Sequence, residues 1–395
     1  METLKEEEEE STITVDRFPN EIIDDILSRL PVKSILRSRS VSKPWLSRIS
    51  DPSFTKLHLA RTNDALFLSA YDTLTRKRYF LSAAPDAGPV THLITFEDCY
   101  DTDISTAEHS NGLVCFTCSQ LFSFDNNIVH VFVVNPSTRQ MFKLPHGPIP
   151  SNSGYMHICC AFGFDESSSQ HKILLITKVL TSHTTEFMIY SLSNHSWRKI
   201  DVEPPADLSC GLESGVCVNS VVHVMLQDLS NDILAFDLKT EKLSRISFPQ
   251  GVVSHELITV YSSNGEGFMK QNSPFIMKIN GCLGVVCHER VVESDEIDIW
   301  ILQDYDNRVW VRETVSFPES WNEFGIPFPA PVDVRMDEII FSSHEVSGNV
   351  IGLHVYNMKT RRFKLLQFTL DDQFLCSETV SFNHIKCYVE SIIPL

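Results

Sequence analysis

Between Phe18 and Pro31 (FPNEIIDDILSRLP) the apolar residues Ile22, Ile23, Ile26, Leu27 and Leu30 recur at i, i+1, i+4, i+5 and i+8, with Glu21, Asp24, Asp25 and Arg29 opposite. That spacing predicts a helix with one apolar face. Pro19 suits its first turn, where no N–H partner is needed, and Pro31 stops it. A second helix is expected around Ser34–Ser42, with Ile35, Leu36 and Val41 turned inward. A third follows from Ser42 as N-cap, with Pro44 in its first turn and Trp45 and Ile49 at i, i+4. Asp51-Pro52 breaks it, and Phe54, Leu57 and Leu59 continue as a short tail. Three short helices are near the limit of what can bury its own core. Part of this apolar face therefore calls for a cover, either the rest of the chain or a partner.

Beyond residue 62 the period changes. Short apolar runs alternate with polar turns, and one unit recurs as VVNPSTRQMFKLP (Val133–Pro145), IYSLSNHSWRKI (Ile189–Ile200), AFDLKTEKLSRISFP (Ala235–Pro249) and VYNMKTRRFKLL (Val355–Leu366). Longer or earlier echoes run over Ile299–Pro318 and Ala70–Leu81. Each unit reads as a β-hairpin: an apolar strand ends at Asn135, Ser191, Asp237 or Asn357, short polar residues that start turns by bonding their own backbone. A second strand then carries Phe142, Trp197, Leu243 or Phe363. The reference positions lie 56, 46 and 120 residues apart, the last interval spanning the longer unit. Each hairpin is preceded by further strand material, such as GLVCF, HKILLITKV, VNSVVHVML, CLGVVC and MDEIIFSSH. Roughly four strands per 40–60 residues predicts a β-propeller, here of six or seven blades. Kelch repeats are the nearest named type, but with only 15 Gly in the chain their paired glycines are missing. Tyr388–Leu395 is expected to complete the first blade and so remove an exposed edge.

Charge divides the chain the same way. The net charge is −18, with 51 Asp+Glu against 33 Lys+Arg. Residues 1–16 carry −6, residues 17–61 carry +5, and 62–395 carry −17. The expected organisation is thus a disordered acidic tail (1–16), a small helical module (17–61) and a large all-β domain (62–395). The acidity argues against nucleic acid as main partner, since that affinity comes from Lys and Arg. No signal peptide follows METLKEEEEE, and no apolar run is long enough to span a bilayer. A cytoplasmic and/or nuclear protein without a membrane partner is expected. The 11 Cys, odd in number and without framework spacing, read as reduced thiols. Cys115 and Cys118 form a lone CxxC that cannot close a tetrahedral metal site, and Cys282, Cys287 and His288 lie in a strand-like run.

The stretch Phe18–Leu59, FPNEIIDDILSRLPVKSILRSRSVSKPWLSRISDPSFTKLHL, resembles an F-box, the motif by which substrate receptors join Skp–Cullin–F-box ubiquitin ligases. Phe18 replaces the usual Leu, Ser40 stands where Cys is common and Pro44 where Arg is frequent. The resemblance implies contact with a Skp-type adaptor, and through it a cullin–RING core, by Phe18, Pro19, Ile23, Leu27, Leu30, Pro31, Val32 and Leu36. Val41 and Trp45 are assigned to internal packing. The body resembles the F-box-associated domain of plant proteins in its Asn135–Pro145 stretch, VNSVVHVML, PFIMKINGCLGVVC and the closing YVESIIPL. The implied function is substrate recognition, with an unidentified protein substrate held by the propeller.

No GxSxG elbow, P-loop, GxGxxG or HExxH occurs. No catalytic residue, cofactor or metal is therefore assigned. The alternative reading is a propeller enzyme or glycan-binding module whose N-terminal helices only pack against it.

Overall fold

The computed structural model describes residues 19–62, 64–97, 107–119, 129–145, 156–179, 184–204, 212–226, 232–250, 252, 256–261, 267–272, 274–320, 330–341, 346–347, 349–371 and 380–395. The acidic stretch 1–16 and Phe18 lie outside them. The chain divides into two compact units, Met1–Thr62 and Asn63–Leu395.

The first unit contains four short helices, α1 (Asn20–Leu27), α2 (Val32–Ser38), α3 (Lys43–Ile49) and α4 (Pro52–Leu59). Pro19 and Pro31 each precede a helix, and their carbonyls accept the first helical N–H groups, from Ile22 (3.1 Å) and Ser34 (2.9 Å). Ser42 caps α3 by accepting the Trp45 N–H at 3.4 Å, as its sequence position predicts. The fourth helix corrects the sequence reading, which had Asp51-Pro52 only as a breaker. Asp51 ends α3 and caps α4, its carboxylate accepting the Ser53 N–H at 2.7 Å, with Pro52 in the first turn. Arg48 binds Asp24 at 2.9 Å and ties α3 to α1. Leu27, Val32, Ile35, Ile49 and Phe54 form the buried apolar set.

The second unit is a propeller of six four-stranded blades. Blade 2 runs Ala107–Ser110, Leu113–Ser119, Val129–Asn135 and Gln140–Lys143 from the inside outward. Blade 3 follows as Met156–Asp165, Gln170–Val179, Thr184–Ser191 and Ser196–Ile200. Blade 4 is Leu212–Val218, Val221–Leu226, Asp232–Asp237 and Leu243–Ser247. A separate hairpin, Glu256–Tyr261 and Gly267–Asn272, precedes blade 5 in the chain. Blade 5 comprises Phe275–Ile279, Cys282–Cys287, Glu296–Asp304 and Val309–Ser316. Blade 6 comprises Pro331–Arg335, Glu338–Phe341, Val350–Asn357 and Arg362–Thr369, with Gly88–Pro89 pairing in parallel to its outer strand. Each inner strand neighbours the next around a closed circuit.

Every blade packs a neighbour on both faces, while outermost strands such as Gln140–Lys143 and Arg362–Thr369 stay largely exposed. Six apolar clusters fill the six junctions between neighbouring blades. In the blade 4 strand Asp232–Asp237, Ile233 and Ala235 face blade 5, while Leu234 and Phe236 face blade 3. The period-2 alternation of a strand thus divides its side chains between two apolar junctions, which is why these strands read as apolar runs.

The ring closes through its own chain end. Val380–Val389 pairs antiparallel with Asp64–Asp72 and supplies the inner strand of blade 1, followed outward by Lys77–Ala83 and Thr91–Phe96. The closing strand therefore lies earlier than Tyr388–Leu395. Residues 390–395 instead leave the sheet as an extended tail and latch onto blade 2. Asn135 makes this latch. Its Oδ1 accepts the Ser137 and Thr138 N–H groups at 3.0 and 3.2 Å, forming the turn, while Nδ2 donates to the carbonyls of Ser391 (3.0 Å) and Ile393 (2.7 Å). Gly112, at φ +79°, lies so close to the tail that a Cβ there would sit 2.2 Å from the Ser391 Cβ. In blade 4, Asp237 forms the corresponding turn, accepting the Lys239 and Thr240 N–H groups.

Asn135→Asp keeps the turn acceptor but sets a buried carboxylate against two carbonyls. Urea unfolding should show a loss of about 3 kcal/mol. Asp237→Asn should change stability by less than about 1 kcal/mol. Equal effects of the two would remove the latch role from Asn135.

Candidate interaction surfaces

In the helical unit the apolar residues of α1 form two stripes. Leu27 is buried and Ile23 and Leu30 are partly so, whereas Ile22 and Ile26, one turn apart, are 45% and 55% exposed. The residues that the resemblance implied therefore differ in position. Pro19 and Pro31 are exposed, Ile23, Leu30 and Leu36 are half-buried, and Leu27 and Val32 belong to the core. Phe18 lies outside the described residues. Val41, expected to pack inward, is 65% exposed because α2 ends at Ser38 and no longer carries it on the helical face. The sequence reading passed over Ile22 and Ile26 individually. The signal was five apolar residues on one short helix, more than a single core-facing stripe needs.

The polar side of α1 is held by a small ionic network. Asp25 accepts from Arg29 one turn on and pairs with Arg61 at 2.6 Å. The hydrogen bond from Arg29, followed by that from Arg61, holds its carboxyl below the usual range.

In the propeller the inner strands bring ionisable groups from several blades together. Glu108 of blade 2 lies within electrostatic reach of Lys386 from blade 1, Asp333 from blade 6 and Lys278 from blade 5. Burial pushes its carboxyl up to about 7, with Lys386 the largest opposing influence. Beside it the rings of His109 and His384 stack at 5.9 Å. Burial holds His384 down at about 3 and His109 well below the usual value. Among the described residues neither buried ring nitrogen of His109 has a hydrogen-bond partner. Further out, His171 reaches the Ser110 carbonyl at 3.1 Å and joins blade 3 to blade 2, while His223 reaches the Tyr305 hydroxyl at 3.1 Å and joins blade 4 to blade 5. Burial lowers both imidazoles to about 4.

Cys115 lies on the strand Leu113–Ser119, and burial raises its thiol, as it does that of Cys287. Such thiols are poor nucleophiles. Among the described residues no three His, Cys, Asp or Glu side chains gather to hold a metal ion, and no helix is long and apolar enough to cross a membrane.

Residues 15–57 match the F-box domain family, and residues 65–385 match the F-box associated beta propeller domain family. F-box protein At1g30790 of Arabidopsis thaliana is 26% identical, over 94% of this chain and 98% of its own. F-box protein CPR1 of the same plant is 25% identical over 93% of this chain and 91% of its own. Among solved structures, an oligogalacturonate lyase in complex with manganese is similar over 77% of this chain and 85% of its own, at 11% identity and a TM-score of 0.39.

The buried histidines give the fold a definite response to acid. Between pH 6.5 and about 4 the unfolded chain protonates His171, His223 and His384 while the folded chain does not, so stability falls as pH falls. Glu108 acts in the opposite sense: its folded carboxyl keeps a proton up to about 7 that the unfolded one releases near 4.5. The urea midpoint should therefore drop between pH 7 and 5. Glu108→Gln should raise it at pH 7 and make the drop steeper.

Proposed function

Since the chain belongs to the F-box proteins that carry an F-box associated β-propeller domain, we propose that it is the substrate-recognition subunit of a Skp–Cullin–F-box ubiquitin ligase. The helical unit docks a Skp-type adaptor and through it the cullin–RING core, and the propeller holds the protein to be modified. The observation that carries this reading is the uncovered pair Ile22 and Ile26 on a unit that matches the F-box family. An apolar ridge on so small a module loses free energy in water and gains it against a partner. Pro19, Ile23, Leu30, Pro31 and Leu36 extend the docking face around that ridge, and Phe18, outside the described residues, is assigned to it by the family resemblance alone. Leu27 and Val32 act from beneath, by fixing α1 and α2.

The receptor performs no bond chemistry of its own in this reading. Its contribution is positional: holding a substrate on the ligase raises the effective concentration of its lysines at the transfer site. Its place of work is the cytoplasm or nucleus.

The test is co-purification of the full chain with a Skp-type adaptor. Ile22→Asp/Ile26→Asp should leave the folded propeller intact and weaken adaptor binding by roughly 100-fold, the cost of losing two central apolar contacts. Leu27→Asp should instead unfold the helical unit itself. A folded wild-type chain that binds no adaptor would sink the receptor reading. Unchanged binding by the double variant would move the docking face elsewhere on the unit.

A further inference from the structure

One end of the ring carries a pocket of about 260 Å³ where blades 6, 1 and 2 meet. It sits at the closure seam. Blade 6 contributes Arg335, the last residue of its inner strand, and Met336 from the turn after it, and blade 2 contributes His109 of its inner strand and Asn111 from the corresponding turn. Blade 1 contributes Asp64 and the end of the closing strand around Tyr388.

The chemistry of this pocket has a sign. Arg335 lies between two carboxylates, its Nε 3.4 Å from Asp64 and its Nη1 3.2 Å from Asp86. One cation against two anions leaves a local excess of negative charge. Both carboxylate side chains keep contact with solvent, 41% exposed for Asp64 and 77% for Asp86, so neither is consumed by its ion pair. Asp333, two residues before Arg335, adds another carboxylate beneath, accepting the Cys387 N–H at 2.6 Å. Lys386, next to Cys387 on the closing strand, is a second cation here, which leaves two cations against the three carboxylates. An anionic ligand would have to displace carboxylates from Arg335 inside a unit whose net charge is −17.

Two further groups suit a long cationic side chain. His109 stays uncharged because it is buried, so it does not repel a cation, although its ring nitrogens are themselves closed off from the pocket. Met336, 74% exposed and fixed at φ 52° in its turn, sets a flexible thioether at the rim, where an alkyl stem can lie.

We propose that this pocket receives one lysine or arginine side chain from an exposed segment of the protein substrate, with Asp64 as counter-ion and Met336 as the wall for the stem. The proposal rests on the reading of the propeller as the substrate-holding part. It specifies a basic side chain as one element of what the receptor recognises and the closure end of the ring as the place where it binds.

The test uses the full chain bound to its adaptor, with ¹³C-methyl methionine labelling and Met336→Leu to assign the Met336 signal. N-acetyl-arginine amide and N-acetyl-lysine amide, titrated to about 20 mM, should shift that signal saturably. Asp64→Asn should weaken the binding ~5-fold, the order expected for one partly exposed ion pair. Asp86→Asn should do so to a smaller extent, and it keeps the test open if Asp64→Asn does not fold. Asp306→Asn, in an exposed turn of blade 5, should change nothing. Equal shifts with N-acetyl-norleucine amide would make the pocket merely apolar, and shifts with N-acetyl-glutamate amide would make it an anion site. Either result, or no saturable shift with both cations, overturns the proposal. Retention of the adaptor throughout separates such a failure from failure of the receptor reading.

Discussion

Packing of every blade against a neighbour on both faces is the constraint on which the propeller depends. A single four-stranded sheet of this sequence would expose an apolar face to water on each side, at a cost of roughly 1.5–3 kcal/mol for each large aliphatic or aromatic residue left uncovered. Only a neighbour on both sides removes that cost, and only a ring gives every blade two neighbours. Ile233 and Leu234 are adjacent in sequence yet serve different junctions. The blades consequently have no independent cores. The strand that closes the ring thereby supports all six junctions, although it belongs to only one sheet.

Much of this was legible because the alternation rule and the turn chemistry are local. Asn135, Asp237 and Asn357 cap the turns their positions suggested, and the elements GLVCF, HKILLITKV and CLGVVC lie in second strands of their blades. The Asn-Gly pairs at Asn111-Gly112 and Asn280-Gly281 also mark hairpins, with both residues at positive φ. Less local properties were not legible. Nothing around Asn135 tells that its amide also holds residues 391 and 393, more than 250 positions away. The closing strand was displaced for a related reason: only Tyr388 and Val389 of YVESIIPL lie in it, and the end is apolar because Ile393 and Leu395 pack against blade 2.

The helical unit teaches the complementary lesson. Periodicity located α1 and its apolar face, yet could not separate the stripe that forms the core from the stripe left bare. Ile23 and Leu27 differ from Ile22 and Ile26 only by one position along a helix, about 100° of rotation. Which pair lies inward is set by where α3 and α4 cross. The link from Arg48 to Asp24 and that from His58 to the Leu30 carbonyl at 3.3 Å fix those crossings. Asp51 made the fourth helix visible in principle, because a capping carboxylate followed by proline starts a helix as readily as it ends one.

Closure of blade 1 by Val380–Val389 also sets a clock on biosynthesis. The partner strand ends at Asp72, so 308 residues must be made before its open edge meets the strand that covers it. At about 10 residues per second this is roughly half a minute during which blade 1 lacks its inner strand. The four helices, complete by residue 59, need no such wait. A chain whose synthesis stops short of residue 380 is left with a permanently bare edge on blade 1, the kind of surface that draws chaperones or other unpaired strands. Completion of the ring thus doubles as a record that translation has passed residue 389.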